Sequence, residues 1–514
     1  MLARMERLLA ALAAWDRARS RPRYRIVGSA ACLVLGGAAH LAMAGAPDPA
    51  RAAAAMTVTM SAAWLGGVLP MAVTALLPIV AMPLLGLGSV REAAAPYADP
   101  LNVLMLGGFL LAAAMEQVGL HRRVVAAMLA PAWIRATPGR VALGLMASAA
   151  TVSAFVNNTA AMLMMLPTAM ALASALGADR RMRAAFTLVT AYACSIGGVA
   201  TLVGTAPNAV LAGLAPRVAG REITFVGWLG VGVPFVLLAV PTAWWMVTRV
   251  TLPLPRDHRA PPTPPPHPGP WSFGERAVGV VVGACLLAWL TRSPVDLGAV
   301  TLPGWGPHVP GKVDDGFVAI AGALALFLLP GEALRRGSPP PPQDTHGDDA
   351  DEAAFLLSWR RMARAVPWSV LVLMGGGFAM ADAIQRSGLS HQLARSVAHL
   401  GDLPPVLQVL GVCVGISFLS AFTSNTATTQ VALPLLGAGA VAAGIDPLAW
   451  MVPATISASC DFALAVGTPP NAIAAEAGDV TPGEMAAAGV ALNVLCALLA
   501  TAVTLGPGAL ALAP

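Results

Sequence analysis

Charge is scarce in this chain. Asp, Glu, Lys and Arg make up 11% of its 514 residues, against about 25% in soluble domains. That deficit excludes a soluble globular enzyme, a coiled coil and a disordered scaffold. Lysine is nearly missing: of 31 cationic side chains only Lys312 is a lysine, and without a P-loop lysine pattern a primary pump is disfavoured. Cysteine is sparse as well. Cys32, Cys194, Cys285, Cys413, Cys460 and Cys496 all lie in apolar stretches without a CxxC pair, so they read as small buried residues and imply neither a disulfide nor a metal site. There is no G-x-S-x-G and no HExxH, which argues against a membrane-embedded enzyme. His40, His121, His391 and His399 show no ligand spacing and receive no role.

Apolar sequence is what the chain has in abundance. Hydrophobic residues reach 57%, and several runs exceed the roughly 18–20 residues that cross a bilayer. The runs have helical lengths and lack the ten-residue alternation of a barrel. An all-α polytopic membrane protein follows, with the lipid bilayer as its surroundings. The net charge of +5 does not point to nucleic acid, because the cations sit in the connections.

Spans are expected near 26–45, 54–70, 72–88, 101–118, 184–214, 226–249, 275–291, 315–331, 366–385, 447–475 and 483–511. These eleven crossings place the termini on opposite sides. With the N-terminus inside, 23 cationic residues fall on the cytoplasmic side and eight on the other, as the positive-inside rule requires. The first 25 residues, with seven Arg and no small-residue cleavage site, read as a retained cytoplasmic tail. The Pro-rich and polar segments 253–274 and 332–358 read as cytoplasmic linkers.

Two uncharged stretches, 141–178 and 403–445, are too long for one crossing and too short for two plus a turn. Each carries a polar cluster at its centre: Ser153-Ala-Phe-Val-Asn157-Asn158-Thr159 and Ser420-Ala-Phe-Thr423-Ser424-Asn425-Thr426. Re-entrant hairpins with polar tips near the membrane midplane are expected, since non-helical backbone at that depth must line a cavity or be buried in protein.

Three blocks then recur in the same order. Gly107-Gly108-Phe109 and Gly119-Leu120 return as Gly376-Gly377-Phe378 and Gly388-Leu389, offset by 269. Ser153…Asn158-Thr159…Pro167 returns as Ser420…Asn425-Thr426…Pro434, offset by 267. Gly204-Thr205-Ala206-Pro207-Asn208 returns as Gly467-Thr468-Pro469-Pro470-Asn471, offset by 263. The first block lies on the fourth expected crossing and its copy on the ninth, so the copies run antiparallel. That is an inverted repeat, an architecture of secondary transporters with a midplane site at the repeat interface.

The repeated residues carry a legible chemistry. Gly and Pro inside an apolar span break the helix and free backbone carbonyls. Those carbonyls, with Ser, Thr and Asn oxygens, suit a hard cation such as Na⁺. Helices that start at the tips aim N–H groups and positive dipole ends at one point, which favours an anion without a buried Arg or Lys. Neither hairpin contains a cation. Two such clusters suit an anion charged at both ends.

Paired Asn-Thr tips, each followed some 45 residues later by G-T-x-P-N, resemble the divalent anion:sodium symporters, carriers of dicarboxylates, citrate and sulfate. The resemblance runs from Leu69-Pro70…Thr74-Ala75-Leu76-Leu77-Pro78 through Ala458-Ser459-Cys460…Asn471. It implies a homodimer in which scaffold helices (26–118 and 275–385) carry elevator-like transport elements (119–252 and 386–514). It places substrate at Asn157, Asn158, Thr159, Ser424, Asn425 and Thr426, with Thr205 and Thr468 nearby. It places Na⁺, the coupling ion, beside each tip, among Ser153, Asn157, Asn158 and Gly204 and among Ser420, Ser424, Asn425 and Gly467. A bacterial inner membrane, N-terminus inside, is the implied location.

The chain departs from the family pattern at three positions. Asn157 stands in place of Ser at the first tip, Asp461 replaces a small neutral residue, and Ala465 replaces Pro. Asp461 pairs with Gly198 across the repeat and so has no counterpart. An intramembrane carboxylate is a functional candidate by default, here for a role in coupling. Glu116 and Asp382, near span ends, are expected to be solvated or interfacial. A C4-dicarboxylate is the leading substrate. Sulfate, citrate, obligate exchange, and a more distant arsenite or proton-antiport carrier stay open.

Overall fold

The computed structural model describes residues 22–177, 179–255, 269–296, 301–311, 313–330, 355–390, 392, 402–465 and 467–511. Most of the basic tail, the middle of the 253–274 linker, most of the 332–358 segment, Lys312, His391 and His399 lie outside the described residues.

The first part of the chain builds α1 (Pro22–Ala42), α2 (Asp48–Gly66), the short pair α3 (Met71–Ala75) and α4 (Leu77–Leu84), α5 (Val90–Ala94), α6 (Pro100–Val118) and α7 (Leu120–Leu129). Local chemistry sets these limits. Asp99 caps α6 by accepting from the Leu101 amide at 2.9 Å, Pro100 fills the first position, and Gly119 ends the helix at φ +76°. The expected span 72–88 divides at Leu76 into α3 and α4, with Pro78 in the first turn of the second piece.

Next come the helix pair α8 (Pro138–Ser153) and α9 (Asn158–Ala175), the broken helix α10 (Arg180–Gly197) and α11 (Ala206–Val218), and α12 (Phe225–Trp245). After the linker, α13 (Phe273–Arg292) opens with a Ser272–Glu275 capping box. A two-residue ladder pairs Val295 with Leu302. It is the only named strand pairing among the described residues of this helical protein.

Then follow α14 (Asp315–Phe327), α15 (Trp359–Ala365) and α16 (Trp368–Arg386). The second pair is α17 (Pro405–Ser420) and α18 (Asn425–Ala442), and the second broken helix is α19 (Leu448–Ser459) and α20 (Pro469–Glu476). The chain closes with α21 (Pro482–Leu505) and α22 (Pro507–Ala511).

Among the described residues, eight helices are long and apolar enough to cross a membrane, and one of them is the hairpin arm α9. The other expected crossings fall on α2, on α3 with α4, on the 13-residue α14 and on the shortened pieces of the second broken helix. The helices mix full spans with fragments because Gly and Pro interrupt them. The expected last span 483–511 likewise stops at Leu505, before Gly506-Pro507.

Close helix approach depends on the repeated glycines. A methyl on Gly107 would meet Ala319 of α14 at 2.5 Å, and one on Gly376 would overlap the backbone of Ala75. Small residues at such contacts let helix backbones approach. Charged pairs gather at the helix ends. Arg123, Arg180 and Arg183 bond Glu275, Glu484 and Asp479, and Arg217, Arg292 and Arg386 pair with Asp99, Asp315 and Glu92.

Candidate anion and cation site

The two tips have matching construction. Ser153, the last residue of α8, reaches Asn158 Oδ1 at 2.9 Å and the Cys194 carbonyl at 2.6 Å through its hydroxyl. Ser420, the last residue of α17, reaches Asn425 Oδ1 at 2.9 Å and the Ala458 carbonyl at 2.9 Å. Both serines are fully buried. Each hydroxyl has one proton for two acceptors, so each cluster holds more oxygen lone pairs than donors. That imbalance suits a cation more than another hydrogen-bond acceptor.

The breaks behind the tips add backbone carbonyls. Asn208 Nδ2 donates to the carbonyls of Gly198, Val199 and Thr201 at 3.0, 3.3 and 2.8 Å. Asn471 Nδ2 does the same with Asp461 and Leu464 at 3.0 and 3.1 Å. The repeated Asn of G-T-x-P-N therefore holds the unwound loop in shape. Gly204 is required by crowding: a methyl there would lie 2.5 Å from the Gly198 carbonyl oxygen and 2.9 Å from that of Ala154. Gly198 in turn faces Asn158 Oδ1 so closely that any side chain would overlap it. Ser153, Asn158, Ala154, Gly198 and Gly204 thus converge around one small region.

In front of the tips lies a cavity of about 800 Å³. Asn157, Asn158 and Thr159 line it with Ser424, Asn425 and Thr426, and Gly204 and Thr205 line it with Gly467 and Thr468. Ser153, Ser420 and Asp461 sit behind this wall, buried. Four helices (α9, α11, α18 and α20) start at the cavity. Among the described residues, no Arg, Lys or His lines it. Backbone amides and dipole ends are its positive groups, the arrangement that binds carboxylate and phosphate at helix starts.

The caps are not identical in the two halves. Asn157 caps α9, its side-chain oxygen accepting from the Ala160 amide at 3.0 Å, whereas Ser424 makes no side-chain cap on α18. Thr468 accepts from the Asn471 amide at 3.3 Å, whereas Thr205 makes no side-chain cap on α11. The Ser424 and Thr205 hydroxyls remain for whatever enters the cavity. The Asn157 carbonyl oxygen is already used.

The far wall comes from Trp64, Met71, Met105, Phe109, Pro367 and Val370. Sequence reasoning missed these residues. They are single apolar positions on apolar helices, and only Phe109, in the Gly-Gly-Phe block, carried any signal. Asp382 is partly exposed and also carries a partner that the sequence did not reveal: Arg217 Nε bonds its Oδ1 at 2.8 Å while Arg217 Nη2 bonds Asp99 Oδ2 at 2.8 Å. Glu116 is exposed.

A family model described as "Citrate transporter" matches residues 55–455. Curated relatives include the sodium-dependent dicarboxylate transporter SdcS of Staphylococcus aureus strain NCTC 8325 / PS 47. It is 31% identical over 460 residues, covering 87% of this chain and 83% of the relative. The SdcS of the bovine strain RF122 / ET3-1 matches with the same identity and coverage. Among solved structures, the Alcanivorax borkumensis YdaH transporter aligns over 80% of this chain and 87% of its own, with a TM-score of 0.55 at 16% identity. That likeness concerns the fold alone. The matched tips and breaks and the similarity along most of the chain lead to one assignment: this multi-pass membrane protein is a transporter, not an enzyme, and belongs to the divalent anion:sodium symporter family.

Proposed function

We propose that this chain carries a C4-dicarboxylate such as succinate, malate or fumarate across a bacterial inner membrane, driven by Na⁺. One observation carries the reading: Asn158 and Asn425 each belong to two clusters at once. Each lines the cavity in front and accepts from a buried serine behind. A cation held by the Ser-Asn oxygens fixes the side chain and the helix start that the anion contacts, so occupancy of one site favours the other. The SdcS relatives, named for sodium-dependent dicarboxylate transport, support the same pairing.

In this reading one carboxylate lies at the Asn157-Asn158-Thr159 tip and the other at Ser424-Asn425-Thr426, with Thr205 and Thr468 beside them. Na⁺ sits behind each tip, against Gly204 and Gly467. The hairpins and broken helices move together past scaffold helices built from residues 26–118 and 275–385, in a homodimer with the N-terminus cytoplasmic and the C-terminus outside. The cavity also has room for citrate, the substrate in the matched family's description. Proteoliposome uptake of labelled succinate, citrate and sulfate, each with inward Na⁺ or choline, tests the proposal. Succinate uptake that requires Na⁺ is expected. Equal uptake in choline refutes the coupling, and uptake of sulfate or citrate without succinate refutes the substrate.

A further inference from the structure

Asp461 is fully buried, and it is the only buried carboxylate among the described residues whose two oxygens both lack a hydrogen-bond partner. Two polar neighbours, Tyr192 and Asn471, are committed elsewhere. The Tyr192 hydroxyl is directed at the carbonyls of Phe462 and Met485 at 3.1 and 3.3 Å. Asn471 donates to the Asp461 backbone carbonyl, not to its carboxylate. The Ala463 amide and the Asn493 side chain are the donors directed at the carboxylate, but neither completes a hydrogen bond to it, and the Asn493 Oδ1 accepts from the Phe462 amide at 3.0 Å.

The carboxylate points into the second helix break, where Oδ2 lies against Gly467 so tightly that a side chain at 467 would overlap it. The repeat register identifies that place. Asp461 corresponds to Gly198 and Gly467 to Gly204, both at the offset of 263. In the first break Gly198 faces Asn158 Oδ1, and Gly204 faces the Gly198 and Ala154 carbonyls. In the second, the carboxylate lies against Gly467, the position that the repeat register equates with Gly204 of the first cluster.

We propose that Asp461 is a ligand of the second cation site, so that Na⁺ binds there against a full negative charge, whereas the first site offers neutral oxygens only. This rests on the sodium-coupled reading above and deepens it. A buried anion with no partner is costly, and a cation at contact distance removes that cost. The two sites are therefore unequal. The second fills at lower Na⁺ concentration and fills without dicarboxylate, while the first fills later, together with the anion.

The test is ²²Na⁺ binding to the purified full-length protein in choline buffer without dicarboxylate. Wild type should bind in a tight phase that Asp461→Asn and Asp461→Gly each weaken by about tenfold to hundredfold. Ser153→Ala should leave that phase unchanged. Asp461→Gly restores the residue used in the first repeat, and so checks the result should the Asn variant fold poorly. If neither variant folds, carbodiimide labelling of Asp461 in wild type, mapped by peptide mass, decides the matter: protection by Na⁺ supports the assignment and its absence overturns it. Unchanged isotherms in both folded variants would mean that a proton or water satisfies Asp461, and would overturn the inference while leaving sodium-coupled transport intact. Absence of any Na⁺ binding by wild type, together with uptake indifferent to Na⁺, would overturn both.

Discussion

Arg217 ties the broken helix of the first repeat to α6 and α16, which belong to neither the hairpins nor the broken helices. It lies in the last turn of α11, where Nη1 donates to the Gly213 carbonyl at 2.6 Å. Nη2 and Nε reach Asp99 at the start of α6 and Asp382 on α16, each at 2.8 Å. The guanidinium also stacks 4.8 Å from the centre of the Phe378 ring. If the repeat elements move past α6 and α16, as proposed, these two bonds must break on every cycle. The bridge is neither exposed nor sealed, since the Arg217 side chain retains 20% exposure and its partners 13% and 30%. Exposed pairs contribute roughly 0–1 kcal/mol and broken buried ones cost about 3–5 kcal/mol, so about 2 kcal/mol is a reasonable estimate for this pair of bonds. That corresponds to about a thirtyfold shift away from the docked arrangement.

The assay uses Gln430→Cys as reporter on a background without the six native cysteines. Gln430 is fully buried, pressed against Gly377 of α16, and becomes accessible only when α18 leaves α16. In Arg217→Met, maleimide labelling at this position should accelerate by about tenfold or more. Asp382→Asn should accelerate it less, because the Asp99 bond remains. Labelling as slow in Arg217→Met as in the parent, with both proteins folded, would refute the idea that this bridge holds the two groups together.

Other outcomes can be checked directly. Asn158→Ala and Asn425→Ala should each raise the KM for succinate by about tenfold to hundredfold in proteoliposomes, with unchanged size-exclusion profiles. Gly376→Ala should lower the thermal midpoint in detergent, because the new methyl overlaps the Ala75 backbone and overpacking costs about 1–3 kcal/mol. Single cysteines at Ser293 and Ser338 should label from opposite faces of sealed vesicles, and labelling from the same face would contradict the inverted-repeat parity.

The sequence displayed the tips and breaks because they obey a local rule twice. Polar residues within a long uncharged run, followed by Gly and Pro in a span, have few other uses in an apolar chain. The Ser153–Asn158 and Ser420–Asn425 pairs were visible for that reason. The wall made by Trp64, Met71, Met105 and Pro367 was not visible, because its residues are ordinary apolar side chains distinguished only by where tertiary packing aims them. The division at Leu76 was hidden by continuous hydropathy across α3 and α4. The partner of Asp382 was hidden as well: Arg217 lies 165 residues away, and no local pattern links charges across such a distance.

The Gly-Gly-Phe block recurs for a different physical reason from the other two. The tips and the G-T-x-P-N breaks repeat the construction of the cavity and its oxygen clusters, and mutations there should change affinity. A methyl on Gly108 would lie 3.1 Å from Val203 of the first break, Gly377 faces Gln430 of the second hairpin, and Phe378 fills the space left by Gly213 of α11. These contacts all lie between α6 or α16 and a hairpin or broken helix. Phe378 and Gln430 thus seat in the gaps that Gly213 and Gly377 leave, so these contacts are close and interlocked. They add a packing hold to the directional hold of Arg217 and its two carboxylates. Substitutions at Gly108, Gly377 and Phe378, which do not line the cavity, should therefore alter the rate of the conformational step more than the affinity for either ligand.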